Sequence, residues 1–258
     1  MGVDLLRMRK PGRTSWRRIM AAAAVIVAWQ VAANLIDRPA KLASPLQVAQ
    51  AFWPMLQSGE ILGHAAASVR RVALGLGLAV VLAVPVGVGL GVAPRLRQWL
   101  DPIIEMLRPI PALAILPVLL LLFGVGEALN VGIVFYAAVF PILLSTVAGV
   151  MEVERAHREA ALTLGATHGK IIRAVVVPSA LPTLFTGLRL GLQFSWMSIV
   201  GAELIGATSG LGFMILYYGK FLQMDRILVG MMVIGVLGFA LDRVLLIAER
   251  HVLKWKPG

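Results

Sequence analysis

The sequence predicts an all-α, polytopic membrane protein with six transmembrane helices and a cytoplasmic helix pair between the fourth and the fifth. Three observations carry that prediction. Hydrophobic residues fill 59% of the 258 positions and charged residues only 14%, against about a quarter charged in soluble domains. Apolar runs close to the length of a membrane-crossing helix, about 20 residues, recur along the chain. The runs are continuous, which excludes the alternating strands of about ten residues that build a membrane barrel. The mean hydropathy of +0.86 agrees. The chain has no cysteine, so disulfides, thiol catalysis and cysteine-bound metals are excluded.

The formal net charge is +11. In a soluble protein that balance points to nucleic acid. In a membrane protein it reports topology, because Lys and Arg collect in cytoplasmic loops. The expected surroundings are therefore a lipid bilayer, and no nucleic-acid partner is expected.

The apolar runs fall at about residues 19–36, 72–92, 102–123, 128–150, 181–205 and 227–248. Residues 1–18 form a basic N-terminal segment with Arg7, Arg9, Lys10, Arg13, Arg17 and Arg18. The run that follows is longer than the apolar part of a secretory signal, so it is expected to remain as the first helix of a single membrane domain, residues 19–258. The third run is interrupted by Pro109, Pro111 and Pro117, and the fourth contains Pro141. With the N-terminus inside, the inner segments also hold Arg95, Arg97, Arg155, Arg158, Lys170, Arg173, Arg250, Lys254 and Lys256. The outer segments hold Arg38, Lys41, Lys220 and Arg226, to which Arg70 and Arg71, just before the second run, are added. Fifteen basic residues inside against six outside place both termini in the cytoplasm.

The outer segment at residues 37–68 should contain a helix beginning at Ser44-Pro45, since Ser caps a helix and Pro suits its first turn. Ala49, Phe52, Trp53 and Leu56 recur there at helical spacing. An interfacial helix on the outer leaflet and a docking surface for an extracytoplasmic partner are both consistent with it.

The inner loop at about residues 151–180 carries the most information. Glu159-Ala160-Ala161-Leu162-Thr163-Leu164 favours a helix, and Gly165 ends it. Thr167 or His168 can start a second short helix through Ile172 and Val176, which Pro178 should end.

Glu159, Ala160, Ala161, Gly165, Val175, Val177 and Pro178 stand where the signature loop of binding-protein-dependent ABC importer permeases has its fixed positions. The chain resembles that family over most of its length. Val replaces the Ile and Leu common at the aliphatic positions. Leu42-Ala43-Ser44-Pro45, Leu100-Asp101-Pro102-Ile103-Ile104-Glu105, Arg108-Pro109-Ile110-Pro111, Phe123-Gly124-Val125-Gly126-Glu127, Gly187-Leu188-Arg189, Ala202-Glu203-Leu204-Ile205 and Gly210-Leu211-Gly212 resemble its taurine, aliphatic-sulfonate and nitrate branch, taurine permeases most. The resemblance implies a type I importer permease fold and a place in a bacterial inner membrane. It implies a second copy of the chain and two cytoplasmic ABC ATPase subunits carrying ATP and Mg, with no cofactor on this chain. It also implies an external solute-binding protein and a coupling helix pair in which Glu159, Ala160, Ala161, Leu164 and Gly165 meet the ATPase. The cargo it implies is taurine or an alkanesulfonate, then nitrate, then a pyrimidine-type precursor.

Other classes fit less well. Gly165-Ala166-Thr167-His168-Gly169-Lys170-Ile171 imitates a phosphate loop but has three residues between the glycines and Ile after the Lys, where four residues and a hydroxyl are required. No ATPase and no catalytic or metal-binding residue is expected on this chain. An intramembrane hydrolase needs a nucleophile and a base together, and His64, His157, His168 and His251 all fall outside the apolar runs. A secondary carrier commonly shows internal repeats, and no convincing repeat is visible.

Within the runs, Arg189 and Glu203 are the notable ionisable residues, and such residues are functional candidates by default. Arg189 could bond to a neighbouring helix or meet an anion. Glu203, near Gly206, Gly210 and Gly212, could satisfy loop amides or belong to an outer gate. Asp242 and Arg243 should each have structural partners. Pro109 and Pro111 remove backbone donors, which is tolerated at membrane depth only against protein or a wet cavity. They are expected to line a pathway, with Trp196 and Met197 either as a further wall or as ordinary packing.

Overall fold

The computed structural model describes residues 12–36, 38–153 and 155–254. Most of the basic N-terminal segment and Lys256 lie outside them. The described residues form helices throughout: α1 Gly12–Ile36, α2 Pro45–Gln57, α3 Glu60–Val92, α4 Pro94–Leu107, α5 Leu116–Phe123, α6 Glu127–Met151, α7 Arg155–Thr163, α8 His168–Ile171, α9 Val177–Gly206, α10 Leu211–Lys220 and α11 Met224–Val252. A 3₁₀ turn, Ala112–Ile115, precedes α5, and a π-helical segment, Ile172–Val176, joins α8 to α9.

Among the described residues, four helices are long and apolar enough to cross a membrane: α3, α6, α9 with its preceding turns, and α11. The pair formed by α4 and residues 112–123 makes a fifth crossing if counted together, bent by 86°. α1 is 25 residues long, Gly12–Ile36, and Ala23–Ile36 is the apolar stretch of its described side chains. Six crossings are expected, and the third differs in being a sharply bent pair of helices.

The second crossing also differs. It begins at Glu60, well before residue 72, and its 33 residues make about 50 Å at 1.5 Å each. Arg70 and Arg71 therefore lie inside the helix and do not flank it. The apolar run stopped at these charges, but the helix continues because they are paired within the bundle.

The core is a three-helix layer in which α6 packs along both α3 and α9. In lipid, apolar surface alone does not drive helices together, so close approach through small residues matters. Ala79 and Ala83 on α3 and Ala138 on α6 are buried in this seam with Ile142, Leu143 and Val147. A Cβ on Gly75 would stand 2.5 Å from Val134 Cγ1. The most apolar stretch of α6 has 39% of its residues buried and that of α11 has 0%, so α6 is central and α11 peripheral.

α2 starts as expected. Ser44 Oγ accepts from the Gln47 N–H at 3.3 Å, and the Gln47 side chain accepts from the Ser44 N–H at 2.8 Å, a reciprocal cap. Val48 and Met55 are buried in the core with Ala51 and Leu56 against them. Phe52 and Trp53 face outward. The Trp29 indole of α1 donates to the Ala43 carbonyl at 3.0 Å.

By the alternation of the crossings, the bundle has two ends. One carries α2, the start of α6 and α10; the other carries α7 and α8.

Candidate functional site

Three places gather the residues that sequence reasoning singled out. At the α7 end, α7 finishes in a turn that satisfies its last carbonyls. Gly165 has φ +78°, a left-handed conformation that disfavours any side chain. Its N–H donates to the Leu162 carbonyl at 2.9 Å and the Ala166 N–H to the Ala161 carbonyl at 3.0 Å, the paired bonds of a Schellman cap. Ala161 and Ala166 pack against Val150, Val153, Ile171, Val176 and Ala180, which docks the loop on the bundle. Glu159 and Ala160 stay exposed, and Leu164 is 88% exposed. Beside them a depression is lined by Thr167, Gly169, Lys170, Arg173 and Ala174. Thr167 precedes the second helix as expected. Pro178 does not end that helix. It sits in the first turn of α9, and the chain widens to π geometry just before it. Because Pro lacks an N–H, the looser register carries the helix past it.

The second place is the broken crossing. Pro111 is extended, at φ −60° and ψ 139°, and neither it nor Pro109 can donate to a preceding turn. Pro117 does not break the crossing but opens α5. At the break the Leu107 carbonyl accepts from the Ile110 N–H at 3.1 Å and from Tyr136 Oη at 2.8 Å. The break opens a cavity of about 660 Å³ whose walls include Pro109, Pro111, Tyr136, Phe140, Phe194 and Met197. Trp196 is turned away. Its indole donates to the Ile234 carbonyl at 3.2 Å and seats α11 on α9.

The third place, at the α10 end, sequence reasoning found only in part. Glu203 is fully buried and accepts from the Gly212 N–H at 3.0 Å, so it does satisfy a backbone amide. It also accepts from Ser68 Oγ at 2.8 Å and from Arg71 Nη1 at 2.8 Å. Arg71 is 2% exposed and bridges to Glu127 Oε1 at 2.5 Å through Nη2, to Ser209 Oγ at 2.9 Å and to the Ser209 carbonyl at 2.6 Å. Arg70 holds the other Glu127 oxygen at 2.9 Å. Ser68 Oγ accepts from the Leu211 N–H at 2.9 Å, and His64 Nδ1 accepts from the Gly210 N–H at 3.1 Å. The first amides of α10 are thus capped from α3 and α9, and a carboxylate at a helix N-terminus is favourable. Gly210, at φ +115°, has its Cα against the Glu203 carboxylate, where a Cβ would collide. Nearby, Tyr218 donates to Glu60 Oε1. Burial, then the Glu60 carboxylate, pushes its phenol pKa up. The sequence places Arg71 on an outer flank, where its one signal is a pair of arginines directly before an apolar run.

Arg189 stands apart from all three. It donates to Asp242 through Nε at 2.7 Å and Nη2 at 3.0 Å. Arg243 lies over the Phe239 ring at 4.7 Å. Asp242 and Arg243 each have the partner expected of them.

Comparison with known proteins agrees with this architecture. Residues 75–254 match the family described as binding-protein-dependent transport system inner membrane component. The taurine transport system permease protein TauC of Escherichia coli strain K12 is 38% identical over 91% of this chain and 87% of its own length. A putative aliphatic sulfonates transport permease protein, SsuC of Bacillus subtilis strain 168, is 34% identical over 96% of this chain and 91% of its own. The nitrate import permease protein NrtB of a Synechocystis strain is 30% identical over 92% and 89%. A solved structure of the MetNI methionine ABC transporter in an inward-facing conformation shares the fold, with a TM-score of 0.61 at 23% identity over 78% of this chain and 98% of the other. The chain is therefore a multi-pass membrane permease and belongs to the family of binding-protein-dependent transport system inner membrane components.

Proposed function

We propose that two copies of this chain form the membrane pathway of an ATP-driven importer for a small anion, taurine or an alkanesulfonate. Each copy docks one ABC ATPase subunit, the site of ATP and Mg, at its α7 end, and a solute-binding protein delivers cargo at the α10 end. Both termini then lie in the cytoplasm of a bacterium whose inner membrane holds the complex. The sulfonate assignment rests on the 38% identity to a taurine permease; the nitrate relative, at 30%, supports nitrate as the second reading.

The observation that carries the coupling role is the α7 surface. Glu159 and Ala160 on α7 and Leu164 just past its end are exposed, while Ala161 packs against the bundle. A leucine at 88% exposure beside small residues suits an anchor in a partner's groove. ATP binding would draw two such surfaces together and reorient the two copies; hydrolysis would reset them.

The test is reconstitution of the chain with its ATPase and binding protein in vesicles. ATP-dependent taurine uptake is expected, and Glu159→Lys should leave the chain inserted while uptake falls at least about tenfold, since a reversed charge opposes a complementary contact. Wild-type uptake in Glu159→Lys would overturn the coupling role, and uptake of nitrate but not taurine would select the second cargo.

A further inference from the structure

We infer that Arg108 is the residue that meets the anionic group of the cargo, inside the cavity made by the broken crossing. This rests on the importer reading and deepens it. The cavity takes one wall from the middle of α6, around Tyr136, and another from the middle of α9, around Phe194. It therefore lies near the mid-depth of the crossings, where a charged side chain is costly unless it finds a partner or water.

Arg108 follows the last turn of α4, on the rim of the break, and lines this cavity. Its guanidinium makes no hydrogen bond or ion pair among the described residues. Three other arginines of the crossings are held by carboxylates. Arg71 is enclosed by two carboxylates, Arg189 is held in a two-point bridge by Asp242, and Arg97 bridges to Asp101 at 2.9 Å. Glu105, one turn before Arg108, does not line the cavity and forms no ion pair with it. Arg108 is the one basic residue among those lining the cavity.

Polar groups accompany it. Ser145 and Ser198 line the same walls, and each hydroxyl can donate to an oxyanion. The rest of the wall is apolar, with Met197 and Phe194 giving a short alkyl chain a surface to slide on. A volume of about 660 Å³ accommodates a small organic anion. A guanidinium with two hydroxyls on an apolar wall fits a sulfonate headed by a short carbon chain. The site is wide and lacks a second fixed charge, so it binds the cargo weakly and lets it pass.

The chain has no cysteine, so one reporter thiol can be introduced on the cavity wall as Leu144→Cys. In membranes containing the full chain, its reaction with the anionic reagent sulfonatoethyl methanethiosulfonate is compared with the cationic trimethylammonioethyl analogue. With Arg108 present the anionic reagent should be favoured. Arg108→Gln should shift the anion-to-cation rate ratio about tenfold toward the cation, and Arg108→Lys should keep it near the original. In the Arg108 background, ethanesulfonate should slow the anionic reagent. An unchanged ratio in Arg108→Gln, no protection by ethanesulfonate, or a thiol that neither reagent reaches would each overturn the inference. These readouts need neither ATPase nor binding protein. A shifted ratio with no ATP-driven uptake of any anion would overturn the importer reading and leave the site standing.

Discussion

A guanidinium at 2% exposure, as in Arg71, has given up its water and depends on what replaces it. Glu203, Glu127 and Ser209 supply that replacement. Removing one partner of a buried pair costs more than the pair contributes, on the order of 3–5 kcal/mol. Glu203→Gln should therefore lower the melting temperature in detergent markedly, and Arg71→Gln combined with Glu203→Gln should recover part of the loss. If Glu203→Gln melts like the wild type, Glu127 alone sustains the charge. At the other end, Gly165 at φ +78° predicts that Gly165→Ala costs about 1 kcal/mol in the loop. ATP-coupled uptake should drop while the amount of inserted protein stays constant, as immunoblots of membranes would show. These two residues differ in how visible they were. Gly165 announced itself through the helix-forming stretch before it. Arg71 was hidden because its meaning depends on Glu203, 132 positions away, and no local pattern encodes that pairing.

Elements show the same division. The capping box of α2 and the stop of α7 depend on neighbours in sequence, so both could be read from Ser44-Pro45 and from Gly165. The 86° break was half legible. Pro109 and Pro111 announced an interruption, but its angle comes from the packing of residues 112–123 on α6 and α9. The π segment Ile172–Val176 was not legible, because its residues would sit equally well in an ordinary helix. Such segments carry one residue more than regular helical geometry needs. Deleting Ala174 should restore a regular helix and rotate α8 by about 100° relative to α9. The α7 surface would then face the wrong way. Deletion of Ala174 is expected to preserve thermal stability of the bundle yet abolish substrate-stimulated ATP hydrolysis in the reconstituted complex. Stimulation at the normal level would mean that the segment is a passive joint.

For the whole molecule, the alternation of crossings assigns α2 and α7 to opposite faces of the membrane. With no native cysteine, Gln57→Cys should react with an impermeant maleimide in intact cells and Thr167→Cys only after permeabilisation. The reverse pattern would invert the importer. Fold class and the α7 surface could be anticipated because they depend on apolar length and local spacing. The arrangement of α3, α6 and α9, and with it the cavity and the Arg71 cluster, could not, since it depends on which faces meet. The Arg71 cluster also bears on how the protein is made. At about 5–20 residues per second, the 132 residues between Arg71 and Glu203 take about 7–26 s to synthesise. During that interval α3 holds an arginine whose buried counter-charge does not yet exist. The insertion machinery or Glu127, 56 positions on, must shelter it. Nascent chains halted between Glu127 and Glu203 should therefore be degraded faster than chains halted just beyond α10, and Arg71→Leu should narrow the difference; pulse-chase of arrested chains would measure it.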